Sequence, residues 1–143
     1  MLQGTSDSSK ANVLLLERLY KHWNDSKGRS VQEIMSILAP EVSWGSLANG
    51  ANAIAFTSHK TSKQDVVAYF QGLTNSFEMN FYTVDDFTAA ADYVLMTGFC
   101  SFTNRATKKT FESPKADLWR FSNQQAVEFF EYYDTAAVLA TTR

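Results

Sequence analysis

An α+β fold with its helices first and an antiparallel sheet last is what this sequence predicts, on three observations. Apolar residues recur at helical spacing through the first half. After residue 77 the chain turns to aromatic-rich runs of strand length separated by short polar turns. Helical and strand regimes do not interleave, which is the pattern of segregated layers rather than of alternating βαβ units. A curved antiparallel meander with three helices packed on one side encloses a cone-shaped cavity, and that is the architecture expected.

Taken in order, residues 1–10 are polar and small and read as a disordered lead-in, leaving 11–143 as a single domain. From Ala11 to Asn24, Val13, Leu16, Tyr20 and Trp23 form a helical stripe that Leu15 and Leu19 broaden. Lys27-Gly28 ends it. Ser30 and Glu33 have the spacing of a capping box before a short helix carrying Val31, Ile34, Ile37 and Leu38, and Pro40 opposes its continuation. Glu41 to Gly45 suits a short strand with Trp44. The stretch 46–61 reads as a long loop over the cavity mouth. A third helix starts at Ser62-Lys-Gln-Asp65, with Val66, Val67, Phe70, Leu73 and Phe77 as its buried stripe. Strands are expected over 78–87, 93–103, 108–121 and 126–133, then a closing helix over 135–141 with Asp134 as its N-cap.

Composition removes several classes of function. The 143 residues carry 13 basic and 15 acidic side chains with no block of like charge, so no clustered basic face is offered to nucleic acid. No apolar run reaches membrane-spanning length, and the first residues lack a signal-peptide core, so a cytoplasmic location is expected. Cys100 is the single cysteine and the two histidines, His22 and His59, lie far apart, which leaves no pattern for a metal site. No phosphate-binding glycine loop or nucleophile elbow occurs, and no cofactor is implied.

Chemistry concentrates in the last two strands. In PKADLWRF, Asp117, Trp119 and Phe121 share one strand face; in AVEFFEYYD, Val127, Phe129, Glu131 and Tyr133 do. With Ser122 to Gln125 as the turn, Asp117 and Glu131 come near each other across the pair. Two carboxyls in an aromatic setting suit general acid–base work, sharing one proton with one member as base and the other as donor. The alternative for Asp117 is an ion pair with Arg120, Lys115 or a lysine on another strand. For Glu131 it is a place on the outer surface. Tyr20, Trp44, Trp119, Tyr133, Phe129 and Leu19 are candidate ligand contacts in the cavity wall, and such a wall favours a flat or hydrophobic molecule.

The strings LYKHWND, LAPEVSW, SKQDVVAYFQGL and ADLWRF…VEFFEYYDTA, in that order, resemble the SnoaL-like branch of the NTF2-like superfamily over residues 11–141. The resemblance implies an NTF2-like cone, a homodimer formed through the outer sheet face, and a cavity for a small hydrophobic molecule. The superfamily contains polyketide cyclases, steroid isomerases and non-enzymatic binding modules, so fold does not decide activity. In SnoaL-type cyclases a His and an acid fourteen residues later face the cavity; the matching positions are Asp117 and Glu131, with the acid retained and the His replaced. By this resemblance Glu131 is the base of an isomerase- or cyclase-type proton transfer and Asp117 its partner. DLWRF is also similar to the D-x-F-R-F string of ketosteroid isomerases. Their catalytic tyrosine, however, falls at Leu19 with Tyr20 beside it, and their base falls near Ser46. The competing expectation is a non-catalytic ligand-binding or dimerisation module of the same fold.

Overall fold

The computed structural model describes residues 7–143. Helix α1 (Asp7–Asp25) and the short α2 (Val31–Ile37) lead into strands β1 (Leu38–Ser46) and β2 (Lys60–Ser62), then α3 (Lys63–Ser76). Four long strands follow, β3 (Phe77–Ala90), β4 (Tyr93–Asn104), β5 (Thr110–Ser122) and β6 (Gln125–Tyr132), and α4 (Thr135–Ala140) closes the chain. The six strands form one open mixed sheet in the order β2-β1-β6-β5-β4-β3. The α+β cone with helices against a curved sheet is therefore present. The meander extends further than its four expected strands, because β1 adds parallel to β6 and carries β2 on its other edge. Bulges in β3 between Met79 and Phe81 and between Val84 and Asp86 supply bends.

Local chemistry explains most element ends. Ser62 caps α3 by accepting from the Asp65 N–H at 3.1 Å, and Asp134 caps α4 by accepting from Ala137 at 3.0 Å. The β5–β6 turn is tighter than four residues. Ser122 pairs with Gln125, and Asn123 and Gln124 between them take φ of 52° and 67°, the left-handed pair of a two-residue hairpin. That turn alone would set Asp117 opposite Phe130; a register shift between Arg120 and Phe121, which leaves Val127 as an extra residue in β6, brings Glu131 opposite Asp117.

Four expectations need correction. Helix α1 begins at Asp7, so residues 7–10 are not a lead-in, while 1–6 lie outside the described residues. Ser9 is buried and donates to the Ala91 carbonyl at 2.9 Å, docking the first turn on the β3–β4 connection. The Ser30–Glu33 capping box does not form. Ser30 sits at φ −79°, ψ 42°, outside the extended geometry a cap side chain needs, and its hydroxyl has no partner, while Glu33 bonds His22 Nδ1 at 2.7 Å. Val67 is 42% exposed, because a residue one step from Val66 turns about 100° off the stripe; Tyr69, three steps on, is the buried one. Finally, 46–61 is not irregular throughout. It contains a 3-10 segment (Asn52–Thr57) that packs on α3 and contributes Ile54, Phe56 and Thr57 to the cavity wall, before β2.

Candidate functional site

Period-two alternation points Lys115, Asp117 and Trp119 of β5 and Phe129 and Glu131 of β6 to the concave side, where α1 and α3 cover them. Lys115, Asp117 and Glu131 are 8%, 1% and 6% exposed, an unusual depth for three ionisable residues. The Lys115 ammonium resolves the problem. Its Nζ donates to Asp117 Oδ1 at 2.6 Å and to Glu131 Oε1 at 2.8 Å. The two carboxylates therefore do not meet over a shared proton; a lysine stands between them.

Tyrosines complete the set. Tyr20 and Tyr82 donate to Asp117 Oδ2 at 2.6 and 2.7 Å, and Tyr69 donates to Glu131 Oε2 at 2.6 Å. Trp119 Nε1 donates to the Tyr20 oxygen at 2.9 Å. Lys115 also lies 5.6 Å from the centroid of the Tyr82 ring and 5.7 Å from that of Tyr133. Tyr133 itself shares a 2.7 Å hydrogen bond with Ser46. Burial pulls the Lys115 pKa down, but attraction to Asp117 and Glu131 outweighs it and holds the value well above that of a free lysine. Burial, then a neighbouring carboxylate, pushes Tyr20, Tyr69 and Tyr82 well above the usual tyrosine value.

The cluster forms one wall of a cavity of about 90 Å³ between sheet and helices. All the expected contacts line it: Leu19, Tyr20, Trp44, Trp119, Phe129 and Tyr133, with both Asp117 and Glu131. Trp44 stacks on Phe129 with ring centroids 4.0 Å apart and meets Trp119 edge-on at 6.1 Å. Cys100 also faces it, its thiol pushed up to about 12 by burial, as suits an unreactive core thiol. The histidines are elsewhere. His59 Nε2 meets Ser43 Oγ at 2.8 Å, and His22 is held by Glu33. Asp134 is a cap. Among the described residues no group of three His, Cys, Asp or Glu side chains is placed to hold a metal ion.

Three members of the cluster escaped the sequence reading as site residues. Lys115 was named only as one possible partner of Asp117, although it stands two residues before it and so on the same strand face. Tyr82 lies on β3, whose inward face no motif marks. Tyr69 lies outside the α3 stripe that the sequence predicts. Beside Leu19, where the isomerase resemblance puts a tyrosine, Tyr20 brings its hydroxyl to Asp117.

The SnoaL-like domain family matches residues 16–129, and the chain belongs to that family. An NTF2-like protein of unknown function from Burkholderia pseudomallei superposes with a TM-score of 0.80 at 20% identity, covering 92% of this chain and 96% of that one. A provisional SnoaL-like polyketide cyclase from Jannaschia sp. gives 0.78 at 15% identity, over 98% and 96% of the two chains. A protein of ketosteroid isomerase-like fold from Catenulispora acidiphila, in complex with trimethylamine, gives 0.71 at 15% identity, over 90% and 91%. At these identities the likeness is one of fold. No curated protein matches the chain.

Proposed function

We propose that the protein binds a compact, mainly apolar carbonyl compound in this cavity and moves a proton on it, with Glu131 as the base. The observation that carries this reading is the Lys115–Glu131 contact inside an aromatic cavity. Each carboxylate oxygen can accept two hydrogen bonds, and Glu131 receives one at each, so lone pairs remain to take a proton from carbon. Asp117 takes three donors and serves to hold Lys115, Tyr20 and Tyr82 in place. Removal of the proton alpha to the carbonyl sends the electron pair to the carbonyl oxygen; its return from Glu131 to the alpha carbon gives exchange, and in a β,γ-unsaturated carbonyl compound return to the gamma carbon shifts the double bond and completes an isomerisation.

Size narrows the ligand. About 90 Å³ is well under the roughly 300–1,000 Å³ of pockets for drug-sized ligands, so a single ring suits the cavity and a polycycle requires the wall aromatics to move. The trimethylamine held by the Catenulispora protein is of that compact scale. The same small volume, with a cluster whose members already bond one another, favours a second reading in which the protein binds a ligand without turnover. Proton exchange decides between them. Small cyclic ketones incubated with the protein in heavy water should gain deuterium alpha to the carbonyl, and Glu131→Gln should abolish the gain. Specific binding with no exchange favours the non-catalytic module.

A homodimer through the outer sheet face belongs to the same proposal. On that face Leu118 pairs with Phe130, and the Phe130 and Tyr132 rings lie 4.8 Å apart with Tyr132 44% exposed. Sedimentation should report a dimer that Tyr132→Lys weakens; a monomer at high concentration removes this part of the reading.

A further inference from the structure

We infer that the Trp44 indole N–H is the ligand's hydrogen-bond donor, so that the cavity selects a molecule whose polar group is an acceptor. This rests on the proposed ligand-binding role of the same cavity and narrows its chemistry. Trp44 is 2% exposed and lines the cavity, yet its Nε1 has no hydrogen-bond partner; among the described residues only Ser30 Oγ shares that condition. A buried donor left without an acceptor is costly, and native structures leave few of them. Its neighbour Trp119, buried to the same degree, has its N–H paired with Tyr20. The two indoles meet in one wall, one satisfied by the protein and one not. Trp44 does meet the Tyr69 and Phe70 rings edge-on at 5.5 Å, but a ring face is a weak acceptor and leaves most of the cost in place.

The rest of the wall points the same way. Lys115 has three N–H donors and commits two of them to Asp117 and Glu131. The hydroxyls of Tyr20, Tyr69 and Tyr82 are already donated to the carboxylates. Of these donors the Trp44 N–H and one N–H of Lys115 are left over; Tyr133, whose bond with Ser46 either hydroxyl can donate, is the other polar group of the wall, and of the three only the Trp44 nitrogen has no partner at all. A ketone oxygen offers two lone pairs and can answer either.

The test is the ¹H–¹⁵N spectrum of the three indole N–H groups, with the Trp44 resonance assigned by its loss in Trp44→Phe, during titration with cyclopentanone, cyclopentane and trimethylammonium. The expected result is a downfield shift of the Trp44 N–H that saturates with cyclopentanone and is absent with cyclopentane. Trp44→Phe should weaken the ketone about tenfold more than it weakens cyclopentane, the worth of one hydrogen bond beyond the change in packing. An unmoved Trp44 resonance at saturating ketone, equal ketone affinity in Trp44→Phe, or binding of trimethylammonium in preference to the ketone overturns the inference. Absence of binding by every ketone of this size also overturns it. The readout is independent of turnover: loss of deuterium exchange with the shift intact removes the catalytic reading alone.

Discussion

The Lys115 ammonium lies 2.8 Å from the Glu131 carboxylate, and the two side chains are each 7% exposed. At that depth the worth of the contact lies in what its absence leaves behind. Lys115→Met strands two carboxylates away from water, and breaking a buried ion pair from one side costs about 3–5 kcal/mol. That is a large share of an ordinary domain's roughly 5–15 kcal/mol. Urea unfolding should show the midpoint fall accordingly. A change below about 1 kcal/mol would mean that the carboxylates find other partners.

Tyr20 and Tyr82 make similar bonds to Asp117 Oδ2, but only Tyr20 also accepts from Trp119 Nε1. Tyr20→Phe therefore leaves a buried indole N–H unpaired and should cost about 1–3 kcal/mol. Tyr82→Phe removes one bond to an acceptor that keeps others, and should cost less. Thermal unfolding of the two variants gives the order, and the reverse order would contradict the network as drawn.

Alkaline lability follows from the shifted groups. Lys115 is raised above the unfolded lysine value of about 10.4, against burial and through Asp117 and Glu131, so its contribution is full below that pH and lost as pH rises through its folded value. Tyr20, Tyr69 and Tyr82 act in the same direction, since unfolded tyrosines ionise near about pH 10 and the buried ones do not. The melting temperature should fall above about pH 10, and part of the tyrosinate absorbance should appear only with unfolding. Tyrosinate formation that is complete while the fold persists would refute this.

Gly72 is where the 3-10 segment rests on α3. A Cβ there would stand 2.2 Å from Phe56 Cβ and 2.4 Å from its Cγ. Alanine favours a helix interior by about 0.5–1 kcal/mol, but overpacking of this kind costs about 1–3 kcal/mol. Gly72→Ala should therefore destabilise slightly and speed amide exchange over 52–57, the segment covering the cavity. Stabilisation with unchanged exchange would mean that Phe56 moves aside freely.

Much of this fold was legible because its signals are local and periodic. Two-residue alternation brings Asp117 and Glu131 near each other across the strand pair, and the bulge at Val127, which no sequence signal marks, sets them directly opposite. The α1 stripe from Leu16 to Trp23 is buried as read. What was not legible depends on partners distant in sequence. Ser9 looked like part of a polar tail until its contact with Ala91 docked it. Ser30 and Glu33 have a cap's spacing, but the backbone angles at Ser30 and the reach of His22 decide otherwise. Lys115, Tyr69 and Tyr82 come from β5, α3 and β3, and no single stretch of sequence shows that all three converge on two carboxylates. A lysine beside an aspartate on a strand is ordinary on a surface; only its burial in the cavity wall makes it central.

The central claim is that Glu131, held by Lys115 and Tyr69, is a base that acts on a ligand in the cavity. The most direct measurement is the rate of deuterium incorporation into cyclopentanone by the wild-type protein and by Glu131→Gln, with circular dichroism showing both folded. Exchange well above the buffer rate is expected for wild type, with a loss of at least about a hundredfold in the variant, the scale of general base catalysis. Exchange at equal rates in the two proteins would contradict it.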